Sequence, residues 1–266
     1  LCEGVHFLRE AISARRLGEK ALAVNLSDVA SMGVRPVAVL LTLSLPNDLP
    51  AGWVEEFVAG FTSLCKTHQV ALIGGDTTRS KSGITLNITA IGRGAKQHIK
   101  RRSDGRVGDI VCVSDCLGAS AAGLKEVLRG NFDSPLAAIH HHPTAAIEVG
   151  AWLGSCKEVH AMMDISDGIA SDLTHILKAS AVGAEIELSA IPVAEGATLE
   201  EALSGGEDYK LLFTVDAASS EAFMRKFEQT FQRPLYPIGR LTASQALVWL
   251  EKGVPTQQEL RGFCHF

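Results

Sequence analysis

Lys20-Ala21-Leu22-Ala23-Val24-Asn25-Leu26-Ser27-Asp28-Val29-Ala30-Ser31-Met32-Gly33 and, three residues later, Val37-Ala38-Val39-Leu40-Leu41-Thr42-Leu43-Ser44-Leu45 decide how this chain folds. In the first run apolar residues recur at helical spacing. Gly33 with Pro36 just beyond is a helix stop, so a helix is predicted over 17–32. The second run, β-branched and Leu-rich, reads as a strand over 37–45. The alternation continues outward. Pro46, Asn47, Asp48 and Pro50 form a turn, and 53–68 is an amphipathic helix with Val54, Phe57, Val58, Phe61 and Leu64 on one side. A short buried strand, 70–73, runs into Gly74-Gly75-Asp76. Over 84–92, Ile84, Leu86, Ile88 and Ala90 alternate with Thr85, Asn87 and Thr89, which suits a sheet with one wetter side or a subunit interface. Upstream, the chain opens on Leu1 in what reads as the end of a strand, so a preceding segment is expected.

A basic, glycine-punctuated stretch, 92–108, divides the sequence and sets the expected domains at 1–108 and 109–266. Beyond it, strands are predicted over 109–114, 185–188, 209–215 and 235–238. Helices are predicted over 120–128, 169–179 and 221–230, with 164–168 capping the second of these. There is no internal repeat. The class is α+β, a mixed α/β pattern in two domains.

The 266 residues are 46% hydrophobic and 21% charged, a globular balance. A net charge of −5 argues against a nucleic-acid partner, which needs a basic excess to meet phosphates. No apolar run approaches the roughly 20 residues that span a bilayer. Cys2, Cys65, Cys112, Cys116, Cys156 and Cys264 are scattered without a C-x-x-C pair, which predicts reduced thiols in the cytoplasm and no zinc. His140, His141 and His142 precede Pro143 in an expected loop, where adjacent side chains diverge instead of converging on a metal.

Four acidic clusters remain: Asn25-Leu26-Ser27-Asp28, Gly74-Gly75-Asp76-Thr77-Thr78, Asp164-Ile165-Ser166-Asp167-Gly168 and Ser204-Gly205-Gly206-Glu207-Asp208-Tyr209. Glycine beside a carboxylate lets backbone approach a ligand closely. Hard cations such as Mg²⁺ take carboxylate and water oxygens together with substrate phosphates. A helix cap or Asx turn accounts for any one cluster. Four in one chain point to a metal–phosphate site. No G-x-x-x-x-G-K-[ST], no H-R-D with D-F-G and no G-x-S-x-G occurs, so a P-loop, a protein-kinase site and a nucleophile elbow are excluded.

These strings, with Glu3-Gly4-Val5-His6-Phe7, Leu72-Ile73 ahead of the second cluster and the closing Gly262-Phe263-Cys264-His265-Phe266, closely resemble the thiamine-monophosphate kinase family, in order along essentially the whole chain. The wider group is the aminoimidazole-ribonucleotide synthetase-like superfamily. The resemblance implies a two-domain fold of that type, with an N-terminal sheet that forms a barrel in a homodimer and a C-terminal α/β domain. It implies ATP-dependent phosphorylation of thiamine monophosphate to thiamine diphosphate by direct in-line transfer. Several Mg²⁺ ions would be held by Asp28, Asp76, Asp164 and Asp167, and the nucleotide would be met by Gly75, Asp76, Arg102 and Ser166. His6, Glu207 and Phe263 would meet thiamine monophosphate, and Asp164, Asp167 and Arg102 would carry the transfer.

The chemistry of these residues is compatible with those roles. Arg102 offers a forked donor for phosphate oxygens, or is a solvated surface arginine. Phe263 can stack on a flat heterocycle, or pack in a core. His6 can touch substrate, or be a capped core histidine in an apolar strand. The acceptor needs no general base, because a phosphate monoester with a second pKa of about 6 is already ionised at pH 7. The chain departs from the family pattern at Val58, at Ala119 where Asp is usual, after Pro143 where an arginine is usual, and at Cys264. The family's acidic metal loop and following strand end are expected upstream of Leu1. Two other readings stand beside the kinase: another ATP-using member of the superfamily, and a non-catalytic nucleotide-binding homologue.

Overall fold

The helix and strand of the opening run both form, and each starts earlier than its periodicity indicates. The computed structural model describes residues 1–256. Helix α1 (Ala14–Ser31) begins where the Ser13 hydroxyl oxygen accepts the Arg16 N–H, and β1 (Arg35–Leu45) follows. Helix α2 (Trp53–Thr67) then leads into β2 (Ala71–Arg79) and β3 (Thr85–Arg93). The three strands form a sheet of order β2-β1-β3, with β2 parallel and β3 antiparallel to β1.

Val39, Leu41 and Leu43 bury one face of this sheet against α1 and α2. The two helices pack backbone to backbone. A Cβ on Gly18 would lie 2.2 Å from the Phe57 carbonyl oxygen, and one on Gly60 would lie 2.0 Å from that of Arg15.

One expectation for this half is corrected. The strand over 70–73 is not buried: β2 is an open edge, exposed along its length, and Gly74-Gly75-Asp76 lies inside it. The core under the helices takes in Leu86 and Ile88 of β3, the other edge strand, but no residue of β2, so both faces of β2 stay open. The start of the chain does pair as the end of a strand, antiparallel to the start of β3. The Leu1 amino group donates to the Leu86 carbonyl at 2.7 Å, the Leu86 N–H to the Leu1 carbonyl at 2.8 Å and the Glu3 N–H to the Ile84 carbonyl at 2.9 Å. A turn follows, in which the His6 N–H donates to the Cys2 carbonyl at 2.9 Å, with single bridges Cys2↔Thr85 and Glu3↔Phe7. Gly4 makes that turn at φ 78°.

After β3 the basic stretch forms two short 3-10 turns. Lys100, buried, is pinned there by the Cys156 and Val159 carbonyls, both accepting at 2.8 Å. The chain continues through β4 (Ile110–Val113), α3 (Ala119–Leu128), α4 (Pro135–His141), α5 (Ile147–Ser155), β5 (Val159–Asp164) and α6 (Ile169–Ser180). It closes with β6 (Gly183–Glu187), α7 (Leu199–Ser204), β7 (Leu211–Val215), α8 (Ser220–Phe231), β8 (Tyr236–Thr242), β9 (Leu247–Glu251) and β10 (Val254–Pro255). The second sheet has the order β10-β9-β6-β8-β4-β7-β5 and is antiparallel except for β6 with β9. Ile169, Leu173 and Ile176 of α6 fill one face, and Phe223 and Phe227 of α8 with Leu153 of α5 fill the other.

His140 and His141 are helical, not in a loop, and only His142 lies beyond the helix. Ser134 caps α4 by accepting the Ala137 N–H at 3.1 Å, Pro135 opens the helix, and His140 and His141 form its last turn.

Candidate active site

Two loops and one helix face make the site. Strand β5 ends on Asp164, which is 4% exposed, and residues 165–168 turn into α6. The loop from α7 to β7 runs alongside. The Ile165 N–H donates to the Lys210 carbonyl at 2.8 Å, the Tyr209 N–H to Ile165 at 2.8 Å and the Glu207 N–H to Ser166 at 2.7 Å. This ladder holds Glu207 and Tyr209 at φ 64° and 51°, a left-handed conformation that costs a non-glycine residue about 1–3 kcal/mol. Gly168 at the N-terminus of α6 has no side chain to cap with. Asp172 acts instead, its Oδ2 accepting the Ser166 N–H at 2.9 Å and the Asp167 N–H at 3.0 Å. Burial first, then the charges of Asp167 and Asp164, push the Asp172 carboxyl up to about 7.

Helix α1 crosses opposite these loops. Lys20 and Ser27, two turns apart on one face, are both 0% exposed. The Ser27 hydroxyl donates to Asp164 Oδ2 at 2.6 Å. Burial raises the Asp164 carboxyl, against the Ser27 hydrogen bond and the nearby Arg102 charge. Asp28 is exposed, yet desolvation by the surrounding protein and the Asp164 charge push it up to about 6, with Arg102 pulling the other way. Tyr209 reports the same grouping. Its buried phenol is raised well above 10 by desolvation and then by Glu207, Asp164, Asp28 and Asp167.

Lys20 Nζ reaches Glu207 Oε2 at 2.8 Å and lies 3.5 Å from the His6 carbonyl and from His140 Nε2. An ammonium can only donate, so His140 Nε2 accepts and its proton sits on Nδ1, 3.0 Å from Ser120 Oγ. Burial, then Lys20 and His141, lower the His140 imidazole to about 3. Asp208 fixes the neighbouring element, accepting the Gly118 N–H at 2.7 Å and the Ser120 N–H at 3.2 Å at the start of α3.

Between these groups lies a cleft of about 530 Å³. Ser166, Asp167 and Glu207 give it polar lining, and Val5, Leu124 and Leu128 an apolar wall. His6 lines the cleft from the N-terminal turn, its Nδ1 accepting the Cys2 N–H at 3.0 Å.

The expected site residues therefore divide. His6, Ser166, Asp167 and Glu207 share the cleft, and Asp28, Asp164 and Arg102 act on one another electrostatically beside it. Asp76 and Gly75 stand elsewhere, on β2. Asp76 is in register with Thr42 and Asn87, on the face opposite the Leu41–Ile88 pair that packs under the helices. A Cβ on Gly75 would come 1.8 Å from the Leu41 carbonyl oxygen, so strand pairing alone requires glycine there. Phe263 lies outside the described residues.

Lys20, Ser27, His140, Asp172 and Tyr209 were given no role from sequence. The available signals were a charged residue on the apolar stripe of α1 and an acid in the first turn of a helix whose N-cap is glycine.

Among the described residues no three or more His, Cys, Asp or Glu side chains close into a metal-holding group. The donor chemistry nevertheless fits Mg²⁺. Asp164 raises Asp28, Asp167 raises Asp164, and Mg²⁺ binds through one or two carboxylates with water and phosphate oxygens completing its shell. No helix among the described residues is long and apolar enough to cross a membrane.

Residues 1–94 match the family model for the AIR synthase related protein N-terminal domain, and 106–249 that for its C-terminal domain. The thiamine-monophosphate kinase of Haemophilus influenzae is 42% identical over 81% of this chain and 68% of its own length. That of Salmonella typhimurium is 37% identical over 100% of this chain and 84% of its own. A solved structure of AaThiL complexed with AMPPCP and TMP superposes with a TM-score of 0.86 at 32% identity, covering 100% of this chain and 85% of that one.

Proposed function

The chain belongs to the thiamine-monophosphate kinase family, and from that premise we propose that it transfers the γ-phosphoryl group of ATP directly to the phosphate of thiamine monophosphate, forming thiamine diphosphate. One observation carries the reading. The cleft joins an apolar wall and Glu207, suited to a flat amine-bearing heterocycle, to the Asp167 end beside Asp28, Asp164 and Arg102, suited to phosphates.

The acceptor phosphate is already a nucleophile at pH 7, so the protein's task is to bring two anions together and hold them in line. Arg102, exposed beside the carboxylates, supplies a bidentate donor for phosphate oxygens. The backbone N–H groups of Ser166 and Asp167 are committed to Asp172, which leaves the Ser166 hydroxyl as the group that meets the nucleotide. Asp28, Asp164 and Asp167 would hold Mg²⁺, which when bound supplies positive charge against the phosphate oxygens. Glu207, oriented by Lys20, accepts from the amine of the acceptor, and the apolar wall excludes water from that end. Asp76 meets the nucleotide from the outer face of the open sheet, and exposed Val37, Leu72, Ile73 and Ile91 of that sheet support association with a second copy.

The test is incubation of the purified chain with γ-labelled ATP, Mg²⁺ and thiamine monophosphate. Labelled thiamine diphosphate without labelled protein is expected. Failure to form it overturns the reading, and a stable phosphoprotein overturns direct transfer.

A further inference from the structure

His141 is 8% exposed, lines the cleft, and has no hydrogen-bond partner at either ring nitrogen. No other buried side-chain nitrogen or oxygen among the described residues is in that position. A neutral imidazole carries one donor and one acceptor, and burying both unmet opposes folding. The neighbours cannot relieve it. His140, whose ring centre is 5.5 Å away, is committed to Ser120 and Lys20. Burial lowers the basicity of the ring, and the Lys20 charge further opposes any proton that would charge it. An uncharged imidazole with an unmet N–H thus lines the cleft from the last turn of α4.

We propose that His141 is a specificity-determining residue for the acceptor, its N–H donating to a ring nitrogen of the aminopyrimidine of thiamine monophosphate. The inference rests on the function proposed above. It follows from a division of polarity. Glu207 is a carboxylate and can only accept, so it takes the exocyclic amine. The adjacent ring nitrogen can only accept, so it needs a donor, and His141 is the unmet one. A phosphate there would be set against the Glu207 charge, whereas a neutral heterocycle is not.

The test is calorimetric binding, without ATP, of thiamine monophosphate and of an analogue with CH in place of the pyrimidine ring nitrogens. His141→Leu is expected to weaken thiamine monophosphate about 10- to 100-fold and to leave the analogue unchanged. His141→Gln, which keeps a donor, is expected to recover most of the loss. The unliganded Leu variant is expected to melt no lower than the wild type, since it buries no unmet nitrogen. Equal affinities in wild type and Leu variant, or equal losses for both ligands, overturn the proposal. A wild type that binds thiamine monophosphate but forms no diphosphate fails the phosphotransfer reading alone. One that binds no thiamine monophosphate overturns both.

Discussion

The ammonium of Lys20, on α1, is wholly buried and lies 2.8 Å from Glu207 Oε2, a carboxylate 187 residues away on the loop before β7. The pair is asymmetric, because the Glu207 side chain keeps 20% of its exposure and can still reach water. Each partner therefore fails differently when left alone. Glu207→Ala strands a buried cation with only two contacts at 3.5 Å, and about 3–5 kcal/mol of stability is expected to go. Lys20→Met leaves a partly hydrated anion and should cost less, about 1–2 kcal/mol. Urea denaturation of both variants checks the order; equal losses would mean that Glu207 is as dry as Lys20.

Ser27 tests the other contact between α1 and the site. Its hydroxyl donates to the buried Asp164 at 2.6 Å, a charge-assisted bond that favours the ionised carboxylate. Ser27→Ala removes that support, with about 1–3 kcal/mol of stability and a raised Mg²⁺ requirement as the expected outcome. Steady-state rates across a Mg²⁺ titration read it. An unchanged half-saturation point would separate Asp164 from the metal.

Much of this arrangement was legible from residue strings and much was not, for physical reasons. Helices α1 and α2 and strands β1 and β3 carry strong periodicity because one face of each is buried, and they emerged at nearly their observed bounds. Strand β2 misled, since neither of its faces is covered by the helices and its apolar Leu72 and Ile73 stay exposed. Helix α4 was hidden by the assumption that neighbouring histidines before a proline form a loop, although Ser134-Pro135 is a helix start. Asp164, Asp167 and Glu207 stood out beside glycine or at a helix end. Lys20, Ser27 and Asp172 matter only through partners 137 or 187 residues away or through a loop conformation, which spacing along the chain does not encode.

Asp172 supports the loop through hydrogen bonds alone, so shape should matter more than charge. Its Oδ2 takes the N–H groups of both Ser166 and Asp167. Asp172→Asn keeps an acceptor oxygen and replaces a carboxyl already pushed up to about 7, and a loss within about 1 kcal/mol is expected. Asp172→Ala leaves two amides unmet, with about 2–4 kcal/mol lost and turnover reduced well beyond the Asn variant. Similar kinetics in the two variants would show that the loop does not need this brace.

His140 gives the fold a dependence on pH. Its folded value of about 3 lies below the ordinary 6.5, so below pH 6.5 the unfolded chain takes up a proton that the folded chain refuses. The contribution is fully present above 6.5 and is lost as pH falls toward 3, with about 2 kcal/mol already lost at pH 5. Asp28 and Asp208, pushed up to about 6, and Asp172 work in the opposite sense, losing stability as pH rises through their folded values. The wild-type curve alone therefore mixes both signs, and a difference is needed. His140→Asn keeps a donor near Ser120 but cannot titrate. Relative to wild type, the variant should gain up to about 1.4 kcal/mol per pH unit as pH falls from 6 to 4, with no trend above 7. Paired urea titrations at each pH measure this, and a flat difference would mean that His140 is protonated in the folded chain beside Lys20.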